Sequence, residues 1–519
     1  MLHMDLNILD ALERVVASPH ASHCWLALRR AIGASASPQA GAQLVQRLTD
    51  EVAAQPLPQF YRAMMLDVLT GDPQYLCAAA RLLPALLPHD ADRLSVFFSI
   101  AWQRSLFNAP SLSAYSARLT AIGLPHIAGM IDAVVGAALA PAPPVRPRGA
   151  VAGPLQRVAV LAPLLLSPAH PPTRMVLDMV EVLISLGYDI ALFSANDAQV
   201  PDSEQLVGNG LSFAVGATDL AGWLQSLPVA VTVHSCDSGY SVRRRCHDLL
   251  PAMVGFNPDA VLFVGLYSPM ATLAGQRWPL LAMATSSVAP MVRSDVWLTA
   301  RQALHGLRAA TWGGALVDQL ACYYPFRRTG DSARRAARAH APVSGIVRLV
   351  SMGNVLPARM QGPWAQRMVQ LLRDYPQVRW DLVGGEGSVP PALASAPPGQ
   401  IRAVPHVADL APHWRASDIL INPPGIGGGI AVAEAMDAGL AVVAFADTDG
   451  GDKLGADAVH TLDDYLALCV TLITDAEQRG TLSRRLAQRF DQHLDLAQGG
   501  PALREALALA QRRFHGAAP

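Results

Sequence analysis

The sequence predicts an α/β protein: two blocks of parallel, doubly wound sheet behind an all-helical N-terminal domain. Three observations carry this. Apolar residues recur three and four apart through residues 1–139, with no strand candidate between them. From residue 155 onward, continuous apolar runs alternate with amphipathic helical stretches, once through 155–340 and again through 341–519. Between the two grammars lies "APAPPVRPRGAVAGP", 140–154, a linker by composition.

In the first domain "LNILDALERVV", "AGAQLVQRLTDEVAA", "FYRAMMLDVL", "QYLCAAARLLPALL" and "SAYSARLTAIGL" read as helices cut apart by Pro, Gly and Asp. No solenoid period can be fixed from them. In the second, "RVAVLAPLLL" reads as a strand buried on both faces. The helix "TRMVLDMVEVLISLG" and the strand "YDIALFSA" follow, then "VAVTVHS", a helix around "RRRCHDLLPAMV", "PDAVLFVG" and "WPLLAMAT". In the third, "IVRLVSMG", "VRWDLVGGEG" and "DILINPP" are strands, and "PWAQRMVQLLRDYP" and "DLAPHWRAS" are helices. A helical tail closes the chain. In such sheets ligands bind beyond the carboxyl ends of the strands, and a cleft between two domains favours a ligand.

Composition narrows the function. The chain has 519 residues, is 51% hydrophobic and carries a net charge of −1, which gives no support to nucleic-acid binding. The six cysteines are scattered without a CxxC pair, as expected of reduced, mostly buried thiols. There is no basic n-region, no signal-like apolar core and no uninterrupted transmembrane run. A cytoplasmic protein without an integral membrane segment is expected.

The chemistry concentrates in "INPPGIGGGIAVAEAMDAGLAVVAF", which opens at Ile421. Gly425, Gly427, Gly428 and Gly429 precede a helix, where free N–H groups and the positive dipole end suit a diphosphate. Glu434, about one turn inside, is placed to accept ribose hydroxyls. The plain alternative is a Gly-rich turn with a dipole-compensating acid. His170, on the loop after the first strand of the middle domain, can accept a proton from an acceptor group, or merely cap the helix near Thr173. Arg359 and Asn354 lie on "SMGNVLPARMQ" after the first strand of the third block, and an Arg fork suits phosphate. Lys453 in "DTDGGDKLG" is a candidate to meet a phosphate, and His406 in "AVPHVADL" occupies a loop whose contact with the base is implied by the resemblance given below. The acids of "DTDGGD" lack the glutamate of a calcium loop, and no DxD pair stands at a strand end, so no metal is expected.

These residues resemble the nucleotide-binding segment of GT-B glycosyltransferases. In the retaining branch two glutamates stand eight positions apart; Glu434 matches the second, but the first falls on Ile426. The other branch comprises the cytoplasmic adhesin N-glucosyltransferases and O-GlcNAc transferases, with N-P-x-x-x-G…D-x-x-x-x-G-L. Asn422, Pro423, Gly427, Glu434, Gly439 and Leu440 fall in register, with Glu for Asp. "LLLSPAHPPTRMVLD" likewise is similar to that branch's "NHPTSH" segment, where the histidine lies beside the nucleotide sugar. Arg277, Pro279 and Ala282 match its "R-x-A-P-I-Q" turn, with Tyr267, Ser268 and Thr285 to Ser287 expected to face the cleft; "TSSVAP" replaces its Gly-His-Pro turn.

The resemblance implies a GT-B fold of two Rossmann-like domains, the first acceptor-side and the second nucleotide-binding. It implies inverting transfer of a hexose from a UDP-sugar to a protein side chain, such as that of an adhesin or flagellin. It implies ribose contact by Glu434, diphosphate contact by Arg359 and the glycines, and a catalytic His170, with the UDP-sugar as donor substrate and no other cofactor. The alternatives are a retaining GT-B enzyme acting on a glycan or lipid, and a noncatalytic scaffold of the same shape.

Overall fold

A computed structural model describes residues 6–35, 37–52, 55–139, 154–197, 206–207, 219–286, 288–299, 308–310, 316–321, 326–328, 345–353, 356–385, 387–407 and 409–516. The first layer is helical: α1 (Leu6–Ala17), α2 (Ser22–Ser35), α3 (Pro38–Val52), α4 (Pro56–Thr70), α5 (Pro73–Leu86), α6 (Ala91–Asn108), α7 (Leu112–Ile122) and α8 (Leu124–Ala138). Local sequence sets its punctuation. Asp72, Asp90 and Ser111 cap α5, α6 and α7 by accepting backbone N–H bonds, and Gly123 at φ +79° ends α7. Among the described residues no single helix is long and apolar enough to cross a membrane.

The first sheet contains β1 (Arg157–Ala162), β2 (Asp189–Ser194), β3 (Thr232–Ser235), β4 (Ala260–Val264), β5 (Leu280–Met283), β6 (Val296–Thr299), β7 (Arg308–Ala310) and β8 (Leu316–Ala321), in the order β3-β2-β1-β4-β5-β6-β8-β7. All pairs are parallel except β7 with β8. Sequence reasoning stopped at β5; the last three strands extend the sheet. Helices α9 (Pro171–Ser185), α10 (Ala221–Ser226), α11 (Val242–Phe256) and α12 (Pro269–Gly275) connect the earlier strands. The period of two along β1 sorts its side chains between two cores. Val158, Val160 and Ala162 join one cluster, while Ala159 and Leu161 join the core shared with the helical layer.

The second sheet, β11-β10-β9-β12-β13, is parallel throughout. It is built from β9 (Val347–Met352), β10 (Val378–Val383), β11 (Ile401–Val404), β12 (Ile419–Ile421) and β13 (Ala441–Val443). Its helices are α13 (Leu356–Arg359), α14 (Gly362–Asp374), α15 (Ala411–Ala416), α16 (Gly429–Asp437), α17 (Gly451–Leu454), α18 (Leu462–Thr474) and α19 (Ala476–His493). The tail was expected to belong with this sheet. Its last helix, α20 (Gly499–Phe514), instead packs against α9, β4, β5 and β6 of the first sheet. Arg513 bonds Asp318 there at 2.6 Å, which fastens the crossing.

Strand order reverses direction between β1 and β4 in the first sheet, and between β9 and β12 in the second. These are the switch points at which open α/β sheets bind ligands.

Candidate functional site

At the second switch point the sequence builds a cradle of donors. Past β12 the chain turns through Asn422 to Gly428, with Gly425, Gly427 and Gly428 at φ +93°, +104° and +81°. Only glycine adopts such angles freely. A Cβ on Gly428 would come within 2.3 Å of Asn422 Oδ1 and 3.0 Å of Arg359 Nη1. Arg359 ends α13, after β9, and is buried. Its Nε donates to Pro424 O at 3.0 Å and its Nη2 to Asn422 Oδ1 at 3.2 Å and to Pro423 O. Burial pulls its pKa down to about 10, with Asp449 opposing, so it stays charged at neutral pH. Nη1 is turned toward the glycines. The buried amide Nδ2 of Asn422 has no hydrogen-bond partner among the described residues. Lys453, also buried, brings Nζ to 3.3 Å from where a Gly429 Cβ would stand. One carboxylate enters the cradle: Asp449 Oδ2 accepts the Gly427 N–H at 2.8 Å. The Arg359 guanidinium and the Lys453 ammonium are the groups there suited to a diphosphate.

Glu434 lies on α16, which Gly428 caps. It is buried, and it is already partnered. Arg174 Nη1, on the first turn of α9, reaches Glu434 Oε1 at 2.9 Å. Trp414 adds a side-chain hydrogen bond. Burial raises the Glu434 pKa, and the Arg174 charge holds it back. The acid proposed for ribose thus links α16 of the second sheet to α9 of the first.

His170 stands at the first switch point, after β1. It is the N-cap residue of α9, yet its side chain does not cap. Its Nδ1 lies 2.9 Å from Thr173 Oγ1, and that hydroxyl accepts the Leu166 N–H at 3.0 Å. Burial lowers the imidazole pKa to about 4, so the ring is neutral at pH 7. In the tautomer whose Nδ1–H donates to Thr173, the ring's lone pair is on Nε2.

The structure thus gathers Arg359, Asn422, Gly427, Gly428, Gly429 and Lys453 into one cluster. Arg174, four residues past His170, links the histidine's helix to Glu434. His406 is exposed on the loop after the edge strand β11, two strands from β9. Asn354 lies outside the described residues, as does Ser287. Tyr267 and Ser268 do not face the cleft as expected. Tyr267 OH bonds Asp132 Oδ1 at 2.9 Å and Ala128 O at 3.1 Å in α8, and the fully buried Ser268 bonds Asp197. The helical layer covers that part of the strand edge. No group of three or more His, Cys, Asp or Glu side chains suited to a metal occurs among the described residues.

Sequence reasoning missed Arg174, Trp414 and the bond from Gly427 to Asp449. For Arg174 a signal existed: a cation in the first turn of a helix opposes the dipole and so calls for an acidic partner. For Trp414 and Asp449 no local pattern pointed to the contact.

Residues 347–466 match the family described as Glycosyl transferases group 1. This stretch holds the whole cradle, and it makes the second sheet a glycosyltransferase domain. No curated protein matches the chain by sequence. Among solved structures, a mutant O-GlcNAc transferase of Thermobaculum terrenum aligns with a TM-score of 0.55 at 15% identity, over 98% of this chain and 95% of its own. A glycosyltransferase of Rickettsia africae aligns with a TM-score of 0.48 at 12% identity, over 70% of this chain and 99% of its own. The fold is GT-B with a helical N-terminal layer, and residues 347–466 form a glycosyltransferase domain.

Proposed function

We propose that the chain transfers a glucose-like hexose from a UDP-sugar to a protein side chain with inversion, the acceptor being a bacterial surface protein such as an adhesin or flagellin. The observation that carries this reading is the cluster of Arg359, Asn422, Lys453 and the Gly427–Gly429 turn at the second switch point, together with His170 at the first. A diphosphate there meets Arg359 Nη1, Lys453 Nζ and the amides of the turn. Glu434 takes the ribose, and His406 and Asn354 serve as further contacts to the nucleotide. The acceptor N–H or O–H attacks the anomeric carbon, and the bond from that carbon to the phosphate oxygen breaks. UDP leaves with the electron pair and is stabilised by the cradle. The acceptor proton passes to His170 Nε2.

Likeness in fold to an O-GlcNAc transferase along nearly the whole chain accords with a protein acceptor. The retaining alternative needs a carboxylate at position 426. Ile426 is buried in the core shared with the helical layer, so that position serves packing. A noncatalytic scaffold is favoured by one observation: Glu434 and the Gly427 N–H are already satisfied within the protein. Incubation with a panel of nucleotide sugars and Asn- or Ser/Thr-bearing peptides, with released UDP or GDP measured, separates these readings. Transfer predicts UDP release that depends on the peptide. A scaffold releases nothing from any donor.

A further inference from the structure

We infer that the helical layer completes the cradle: the turn between α6 and α7 is a positioning element for the glycine loop. The inference rests on the nucleotide reading for its consequence, but its geometry is independent of any ligand.

Two loops of the second sheet meet this turn. Gly425 N–H donates to Pro110 O at 3.0 Å, and the carbonyl of Ala109 would stand 3.3 Å from a Cβ on Gly425. Next in the chain, Ile426 buries its side chain in the core that the helices share. The loop after β13 is held by the first turn of α7. Leu112 N–H donates to Asp447 O at 3.0 Å, and Ser113 N–H donates to Asp447 Oδ2 at 3.1 Å. The first N–H groups of a helix have no partners inside it. Ser111 Oγ accepts that of Ala114, and Asp447 accepts those of Leu112 and Ser113, with its charge at the positive end of the dipole. Two residues further on, Asp449 accepts the Gly427 N–H. Thr448 stiffens the link by donating to Phe445 O at 2.7 Å and accepting Gly451 N–H at 3.1 Å.

The bonds close a ring. Gly425 is held by the helical layer directly, and Gly427 is held through Asp449 on a loop that the same layer anchors at Asp447. The amides meant for the diphosphate therefore take their positions from residues more than 300 positions away in sequence. Asp447 and the Leu112 N–H are positioning groups. They act through the loop rather than on the substrate.

Two variant pairs isolate these bonds. Leu112→Pro removes the N–H, at a helix position where proline fits and after a residue already extended at ψ 167°; Leu112→Ala loses the side chain but keeps the N–H. Asp447→Ala removes the carboxylate, while Asp447→Asn keeps an acceptor oxygen. Amide hydrogen exchange at Gly425 and Gly427 and calorimetric titration with UDP and uridine are measured on the full chain. We expect Leu112→Pro and Asp447→Ala to speed exchange at both glycines and to weaken UDP by up to about tenfold, the effect of one hydrogen bond, with uridine far less affected. Leu112→Ala and Asp447→Asn should retain most of the wild-type behaviour. Unaltered exchange and affinity in Asp447→Ala, or the same loss in both members of each pair, overturns the inference. If Leu112→Pro does not fold, the Asp447 pair decides alone. If the wild type binds no UDP while exchange still responds, the nucleotide reading fails and the clamp stands.

Discussion

Arg174 Nη1 and Glu434 Oε1 lie 2.9 Å apart, joining the first turn of α9 beside one sheet to the middle of α16 beside the other. The pair ties the helix after the first switch point to the helix after the second. Arg174 is about a third exposed while Glu434 is buried, so the carboxylate depends on the arginine more than the reverse.

Glu434→Gln keeps the volume and removes the charge. If this acid reads ribose hydroxyls, UDP and uridine should both weaken by about 1.5–3 kcal/mol, the range for hydrogen bonds to a charged group. Calorimetry on the two ligands checks this. Unchanged affinities would show that Glu434 serves only the pair with Arg174.

Arg359 has a double duty. Its Nε and Nη2 hold the carbonyls of Pro424 and Pro423 and the amide of Asn422, while Nη1 faces the glycines. Arg359→Ala should weaken UDP much more than uridine, since only UDP carries phosphates. Arg359→Lys should not restore the affinity, because an ammonium cannot supply the planar fork that the loop uses. Equal losses for UDP and uridine would show that the residue does not read phosphate.

His170 should act as a neutral base over the physiological range. Burial sets its pKa at about 4, below the free value, so its proton is lost as pH rises through 4. The acid limb of kcat/KM should therefore fall near pH 4, with level activity from about pH 5 to 8. His170→Ala should lower turnover by about 10²–10⁴-fold and leave UDP affinity nearly unchanged. Thr173→Val should lower turnover as well, because the hydroxyl that fixes the ring is lost, and Thr173→Ser should recover it. A limb near the unperturbed value of about 6.5 would remove His170 from the role.

The fold was legible because its physics is local. Strands buried on both faces leave apolar runs such as "RVAVLA", and the helices between them carry caps and prolines at their starts. The glycines at 425 and 427–429 pointed to a backbone bent where side chains do not fit, and Gly425, Gly427 and Gly428 have positive φ angles. The partnerships were not legible. That Asp447 answers Ser113, or that Glu434 answers Arg174, depends on which loops a tertiary fold brings together. Nothing in "DTDGGD" hinted that Asp447 and Asp449 accept backbone N–H groups of distant segments.

Stability should depend on pH through the seam between α8 and the first sheet. Asp132 accepts from Tyr267 OH at 2.9 Å and from Thr272 Oγ1 at 3.0 Å. Burial raises its pKa to about 7, and that of Asp197 to about 6. Both values exceed the unfolded carboxylate's, so the contribution to stability is fully present below pH 4 and is lost as pH rises through 6 and 7. Thermal unfolding at pH 5.5 and 8 should show the lower midpoint at pH 8, and Asp132→Asn should shrink the difference. An unchanged difference in that variant would place the dependence elsewhere.

The central claim is that the cradle of Arg359, Asn422, Lys453 and the Gly427–Gly429 turn holds the diphosphate of a UDP-sugar. Calorimetric titration of the full chain with UDP, alongside uridine and inorganic phosphate, tests it most directly. The account predicts saturable UDP binding far tighter than either fragment, accompanied at 100 times the dissociation constant by about 2.7 kcal/mol of added stability. UDP binding no tighter than uridine, or no binding at all, would contradict it.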